Sequence, residues 1–172
     1  MFCLDGTGSI SHVSLRHRPQ IFNQPYTYSA ISVGGKQNNV RVIEGPVPKS
    51  KIFGAGHTGN GLGHTTFGLP RFNSSTFTSH FPFGNIQFVD DSFDLIVNLT
   101  GWSPFIPTDE DSSSLPLAAL EYEFTNTTKD LLSNVYSFNS INFMAEGSVG
   151  EAILKSEKGF TLWQSPNDNN PE

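Results

Sequence analysis

The sequence predicts an all-β fold, built as an antiparallel β-sandwich. Every second residue from Phe93 to Leu99 is apolar, the period of a strand with one buried face. The composition favours sheets and turns, with 15 Phe against 2 Met and with 16 Gly and 11 Pro. No stretch long enough for a stable helix carries a helical apolar period, and no strand–helix alternation indicates a parallel sheet. Short strands joined by turns are typical of an antiparallel sandwich.

Three strand candidates precede a glycine-rich stretch of the chain. They cover residues 10–16, 26–33 and 39–44. The segment VGGKQNN (33–39) is rich in Gly and Asn, so it is predicted to turn between the second and third candidates.

Further strand candidates follow the glycine-rich stretch. After 93–100, the clearest is 120–125, whose apolar residues again fall on alternate positions. DDS (90–92) is predicted to close a tight hairpin, and NTTKD (126–130) to form a polar turn. The candidates in this part are 75–81, 84–89, 93–100, 120–125, 133–140, 151–155 and 159–164.

The size and charge of the chain exclude several classes of protein. A chain of 172 residues has the size of one domain, which we place at 1–165, followed by a polar tail at 166–172. The net charge of −6 and scattered basic residues argue against nucleic acid as a partner, since phosphate contacts need a clustered positive field. No apolar run is long enough for a membrane span, and the N-terminus has no signal-peptide pattern. The single Cys3 excludes an internal disulfide and leaves the compartment open between cytoplasm, periplasm and exterior.

The stretch KIFGAGHTGNGLGHTTFGLPRF (51–72) contains a literal G-x-G-x-x-G at Gly54, Gly56 and Gly59. This pattern binds a dinucleotide only where a strand leads into it and a helix follows, because the helix N-terminus holds the pyrophosphate. Further glycines and Pro70 prevent a helix from starting here. The sequence therefore does not predict a nucleotide site.

The same stretch is predicted to be a long surface loop with polar side chains. Long loops in small domains are often functional, although a plain loop is an equally good interpretation. Its side chains can hydrogen-bond a sugar or a partner domain, and the candidate contact residues are His57, Asn60, His64 and Arg71.

Trp102 and a group of carboxylates are the other candidates for chemistry. Trp102 follows the best-defined strand, where it can anchor the rim of the core or stack on a sugar ring. The segment TDED (108–111) places Asp109, Glu110 and Asp111 side by side. A glycosidase needs two carboxyl groups facing each other across the substrate, so these three neighbours favour a solvated turn over a catalytic site.

The sequence predicts neither a metal site nor a cofactor. The five histidines do not form a pair at zinc-ligand spacing, and Cys3 has no second cysteine to join it. The carboxylate cluster does not follow the spacing of a calcium loop. No catalytic residue is assigned from these patterns.

Several phrases, read in order, resemble the N-terminal domain of glycoside hydrolase family 116. The opening LDGTGSISHVSLRHRPQIFNQP is similar to the start of that domain, although Asp5 stands where the family usually has a glycine. RVIEGPVP (41–48), GLPRF (68–72) and FPFGNIQF (81–88) follow in the order of the family. The most specific block is GWSPFIPTDEDSSSLPLAALEYEFTNTT (101–128).

The resemblance implies a two-domain parent, a retaining β-glucosidase of the bile acid β-glucosidase or non-lysosomal glucosylceramidase type. In that family a supersandwich-like N-terminal domain packs on a C-terminal (α/α)6 barrel that holds the catalytic carboxylates. Their motifs have no counterpart here, so no catalytic residue is carried over. The expected partners are the catalytic domain and glucosides.

The resemblance also implies that this chain is an incomplete fragment of a larger sandwich. Exposed sheet edges would then favour a homodimer. Two alternatives stay open: a free-standing carbohydrate-binding or protein-interaction module that uses Trp102 and the glycine-rich loop, and an enzyme that uses the 108–111 carboxylates.

Overall fold

The computed structural model describes residues 2–15, 18–21, 27–34, 39–49, 68–143, 145 and 151–166. Within them the chain forms twelve strands and a short helix. They are β1 (Phe2–Leu4), β2 (Ile10–Leu15), β3 (Arg18–Ile21), β4 (Thr27–Val33), β5 (Val40–Val42), β6 (Ser74–His80), β7 (Phe83–Val89), β8 (Leu95–Trp102), α1 (Glu110–Ser113), β9 (Ala119–Asn126), β10 (Asn134–Ser140), β11 (Glu151–Ser156) and β12 (Gly159–Gln164).

Strands β6 to β9 form a four-stranded antiparallel sheet in chain order. Strand β8 lies in its middle and alternates buried and half-buried residues along its whole length. Leu95, Val97 and Leu99 point from β8 into the core, as the apolar period of the sequence requires. Phe88 of β7 pairs directly with Val97, so the inward face continues across both strands.

A second sheet, in the order β10–β4–β5, faces the first. Strand β4 shows the same alternation as β8, with Ile31 and Val33 buried. These two residues join Ile86 and Phe88 of the four-stranded sheet in one continuous hydrophobic cluster. Because two sheets bury their apolar faces against each other, the architecture is a sandwich.

Two smaller antiparallel sheets complete the described structure. Strands β1, β2 and β3 form one of them, and Ile10 and Val13 of β2 make a separate small core beneath it. Strands β11 and β12 form a hairpin closed at residues 157 and 158.

The turn between β1 and β2 is organised by Asp5. Its carboxylate accepts hydrogen bonds from the backbone N–H of Thr7 at 2.8 Å, from the Thr7 hydroxyl at 2.6 Å and from the Ser9 N–H at 3.1 Å. Gly8 follows with a φ of +79° and packs on the Phe88 ring, where a Cβ would overlap it. A carboxylate at position 5 therefore holds a tight turn against the core.

The predicted all-β fold is confirmed, and each strand candidate coincides with a strand to within a few residues. DDS closes the β7–β8 hairpin, and VGGKQNN connects the paired strands β4 and β5. NTTKD instead carries the chain from one sheet to the other, since β9 pairs with β8 and β10 with β4.

Three elements of the structure are not among the strand candidates predicted from the sequence: β1, β3 and α1. Strand β3 contains Pro19, and β1 spans only three residues, so neither shows the alternation that identifies a strand. Helix α1 has four residues and is too short to show a helical period. No helix in the described part of the chain is long and apolar enough to cross a membrane.

Candidate functional site

A groove of about 680 Å³ opens at one end of the four-stranded sheet. Its walls come from five parts of the chain: β1, Val13 of β2, the β6–β7 hairpin, the end of β8 and the segment 115–118 before β9. The lining is mostly aromatic and aliphatic, with a few hydroxyls and backbone groups. Its principal aromatic residues are Phe2, Phe77, Phe81, Phe83 and Trp102.

Trp102 lies at the last position of β8. The ladder places it opposite Phe83 of β7 on one side and Ala119 of β9 on the other. The side chain is half-buried, so part of the indole stays open to the groove. An aromatic ring held by two neighbouring strands is a rigid surface on which an apolar ring face can stack.

Gly101 allows the sheet and β1 to approach closely at the floor of the groove. A Cβ at this position would overlap Leu4 Cδ1. Leu4 belongs to β1 and also contacts both hydrophobic clusters. The absent side chain at position 101 therefore lets β1 form one wall of the groove.

The rim of the groove is apolar and open to solvent. Phe81 lies in the β6–β7 turn, before a cis peptide bond to Pro82, and its side chain is 74% exposed. Its ring meets that of Phe105 edge-on, with 4.9 Å between the centroids. Leu115 and Leu117 on the opposite segment are also exposed. A rim of this kind is typical of a surface that another molecule covers.

Helix α1 fixes the loop that carries Phe105 and leads to Leu115. Asp109 is its N-cap: the carboxylate accepts from the Ser112 N–H at 2.9 Å and from the Ser112 hydroxyl at 2.7 Å. The Ile106 N–H donates a hydrogen bond to the Ser113 hydroxyl, with 2.9 Å between the nitrogen and the oxygen. Hydrogen bonds from the Ser112 backbone and side chain lower the pKa of Asp109. The carboxylate thus stabilises a loop, as the solvated-turn interpretation of 108–111 requires.

Arg71 lies away from the groove, beside β5. Its Nε donates to Glu44 Oε2 at 3.1 Å, and both side chains are almost fully buried. The backbone is held at the same place, because Val42 N–H donates to the Pro70 carbonyl and Phe72 N–H to that of Glu44. The GLPRF segment is therefore joined to the second sheet through backbone bonds and a buried ion pair.

Tyr122 lies between the two sheets, near the Arg71–Glu44 pair. Burial raises its pKa to about 12, and the nearby Tyr136 and Glu44 add to the rise, while a hydrogen bond with Ser29 partly opposes it. Its ring packs 5.4 Å from that of Tyr136. The two phenols thus lie at the edge of the core, where Tyr122 is partly buried and Tyr136 is 40% exposed.

The predicted contact residues separate into three groups. His57, Asn60 and His64 lie outside the described residues. Trp102 lies in the groove, whereas Arg71 lies in the ion pair with Glu44. Their roles in contacting a substrate or partner stay predictions.

Most of the groove residues were not predicted from the sequence. Phe77, Phe81 and Phe83 come from the β6–β7 hairpin, and Leu115 and Leu117 from the segment before β9. The abundance of Phe and the phrase FPFG were the available indications, but neither shows which residues meet in space. Among the described residues, no three His, Cys, Asp or Glu side chains are grouped so that they could hold a metal ion.

Comparison with protein families identifies the class of this domain. The family model described as beta-glucosidase 2, glycosyl-hydrolase family 116 N-term, matches residues 1–170. A search of curated proteins finds no match. Since the family model spans almost the whole sequence, the resemblance in the opening turn, the GLPRF segment and the 101–128 block is confirmed. The chain belongs to the N-terminal domain family of glycoside hydrolase family 116.

Proposed function

We propose that the chain is the non-catalytic N-terminal β-sandwich portion of a β-glucosidase or glucosylceramidase-like glycoside hydrolase. It braces an (α/α)6 catalytic domain and places the Trp102 groove at the rim of the sugar cleft. The observation that carries the proposal is the groove itself, whose aromatic wall and exposed rim lie in a family 116 N-terminal domain.

The size and lining of the groove support contact with a glucoside. A volume of about 680 Å³ lies within the range of small-molecule sites. Trp102 offers an aromatic face to the apolar face of a sugar ring, and the hydroxyls of Ser79 and Ser103 also line the groove. The exposed rim around Phe81 and Leu117 offers apolar area to a packed domain.

The place of the carboxylates supports a non-catalytic role. Asp109 accepts the hydrogen bonds that cap α1, and Glu110 and Asp111 are exposed residues of its first turn. Retaining hydrolysis needs two carboxyl groups about 5 Å apart on either side of the bond. The expected result is that the isolated chain does not hydrolyse an aryl β-glucoside.

The bracing role is tested by mixing the chain with the (α/α)6 catalytic domain of the same parent. The chain is expected to raise the temperature at which that domain loses β-glucosidase activity. Leu117→Ser, which removes an exposed rim residue, is expected to weaken this protection, while Lys129→Ser in the distant 126–130 turn leaves it unchanged. A catalytic domain whose stability does not respond to the chain would contradict the proposal.

A second candidate function is a free-standing carbohydrate-binding module, which the position of Trp102 in the groove favours. In that case the isolated chain binds glucosides or oligosaccharides with a Kd of about 1 mM or tighter. Titration calorimetry with the wild type and with Trp102→Ala distinguishes the two functions. Binding that is tight and depends on Trp102, in a chain that does not protect a catalytic domain, would favour the module.

A further inference from the structure

Apolar side chains are exposed in two regions of the described structure. One region is the groove rim, and the second lies on strands that do not line the groove.

That second region includes the β11–β12 hairpin. Its strands contact each other extensively, but neither makes comparable contact with another strand in the described part of the chain. Cross-strand pairing places Leu154 and Trp163 on one face and Ile153 and Phe160 on the other. All four are exposed, and Ile153 is 75% exposed. A two-stranded hairpin with uncovered apolar residues on both faces is marginally stable by itself.

The outer edge of β10 is the other half of this region. Strand β10 pairs with β4 along residues 134–140, and no described strand pairs with its other edge. Its sequence NVYSFNS has neither a charged residue nor a proline, the features that usually protect an edge strand. Val135 is 69% exposed. By contrast, the edge strand β9 carries Glu121 and Glu123.

We propose that the β11–β12 hairpin of one chain adds to the free edge of β10 in a second copy, and that the exchange is reciprocal. Addition of a strand to a sheet edge uses the backbone N–H and C=O groups that the edge leaves open. Within the described part of the chain, the β10 edge has no neighbouring strand and the β11–β12 hairpin has no neighbouring sheet, so one chain carries both features. Two copies related by a two-fold axis therefore satisfy both at once, in a closed dimer.

The charges at this surface allow the contact although each chain has a net charge of −6. The hairpin has two acidic residues, Glu151 and Glu157, and two basic residues, Lys155 and Lys158, so its net charge is zero. Strand β10 has no charged residue. The two contacting elements are thus neutral, and the acidic surface lies elsewhere on each molecule. The region shares no residue with the groove lining, so this inference is independent of the proposed function.

Light scattering coupled to gel filtration tests the dimer on the full 172-residue chain. The wild type is expected to elute as a dimer that dissociates on dilution. Ile153→Asp combined with Leu154→Asp on the hairpin, or Val135→Lys on the edge, is expected to weaken dimerisation by about tenfold or more, since each puts a charge into the contact. Val135→Thr and Phe81→Ser, an exposed residue outside the region, are matched controls that keep the dimer.

Trp163 gives a second readout of the same contact. The chain has two tryptophans, so in a Trp102→Phe background the emission comes from Trp163 alone. Its emission is expected to shift to shorter wavelength as concentration rises, because the hairpin becomes covered. A monomeric chain at every concentration, an open series of larger assemblies, or a dimer unaffected by the hairpin and edge variants would each overturn the inference. Association with a catalytic domain by a chain that is monomeric alone would overturn it as well.

Discussion

The carboxylate of Asp90 is buried and accepts hydrogen bonds from several neighbouring residues. It receives Arg41 Nε at 2.8 Å, the Ser92 hydroxyl at 2.6 Å, the Ser92 N–H at 2.8 Å and Asn73 Nδ2 at 3.1 Å. The guanidinium of Arg41 also lies 5.0 Å from the centre of the Phe93 ring. These contacts join the β7–β8 turn to β5, so the turn DDS has a structural role beyond reversing the chain.

The Asp90 carboxylate makes stability depend on pH. Burial by itself would raise its pKa, but the hydrogen bonds from Ser92 and Arg41 and the Arg41 charge outweigh burial and lower the pKa below 3.8. Since the folded pKa is lowered, the stabilisation is present above the unfolded value of about 3.9 and is lost as pH falls through the folded value.

Asp90→Asn is therefore expected to lower the free energy of unfolding at about pH 7 by about 3 kcal/mol or more, because it leaves the Arg41 charge buried without its counter-charge. The loss shrinks as the pH falls below the unfolded value and towards the lowered folded value, because the wild type then progressively loses the same contribution. Urea unfolding at neutral pH and over an acidic pH series measures it, and Asp91→Asn, at the exposed neighbour, is the control. An Asp90→Asn protein as stable as the wild type at neutral pH would contradict this assignment.

At the scale of the element, α1 shows how one N-cap holds in place a segment much longer than the helix itself. The helix has only four residues and buries none of them, so packing contributes little to its stability. Thr108 before it has a φ of 69°, a conformation that L residues rarely adopt. The Asp109 cap and the Ser113–Ile106 hydrogen bonds hold this irregular loop in place.

Asp109→Ala is expected to loosen the segment 105–118 without unfolding the sandwich. Amide hydrogen exchange at Ser112 and Ser113 should accelerate, while exchange in β8 stays slow, since only the loop loses its cap. Asp109→Ser keeps a capping side chain and should restore slow exchange. Asp111→Ala, whose side chain makes no cap, is the control; equal acceleration in it would show that charge and not capping is responsible.

At the scale of the whole molecule, one aromatic cluster joins the two sheets. Phe88 is fully buried, and Phe72, from the end of the glycine-rich stretch, packs 5.7 Å from it. Phe72 also meets Phe93 edge-on at 5.5 Å. Phe72, whose N–H donates to the Glu44 carbonyl just after β5, thus shares one cluster with the β7–β8 hairpin, so a cavity there affects both sheets.

Phe88→Ala is expected to lower the free energy of unfolding by about 3–5 kcal/mol, through lost burial and the cavity left behind. Phe81→Ala removes the same side chain at the exposed groove rim and should change the free energy of unfolding by less than about 0.5 kcal/mol. Denaturant unfolding of the two variants side by side measures the contrast. Similar losses in both would mean that the rim, and not only the core, is packed in the isolated chain.

Much of the fold could be predicted from the sequence because its cause is local. The alternation in β8 and β9 determines which residues of each strand face the core, and Gly and Asn determine where the chain turns. The family resemblance, carried mainly by the 101–128 block, placed the chain correctly in family 116. The same local signals cannot identify β3, where Pro19 interrupts the pattern.

The sequence by itself determined the all-β class, the strands with strong alternation and the family. Only the tertiary structure decided that β10 pairs with β4 across about a hundred residues. It also decided the two ion pairs, Arg41 with Asp90 and Arg71 with Glu44. The groove that Trp102 shares with the β6–β7 hairpin is likewise a result of the tertiary structure. The physical reason is that alternation reports which face of a strand is buried, whereas partners are selected by packing between residues far apart in the chain.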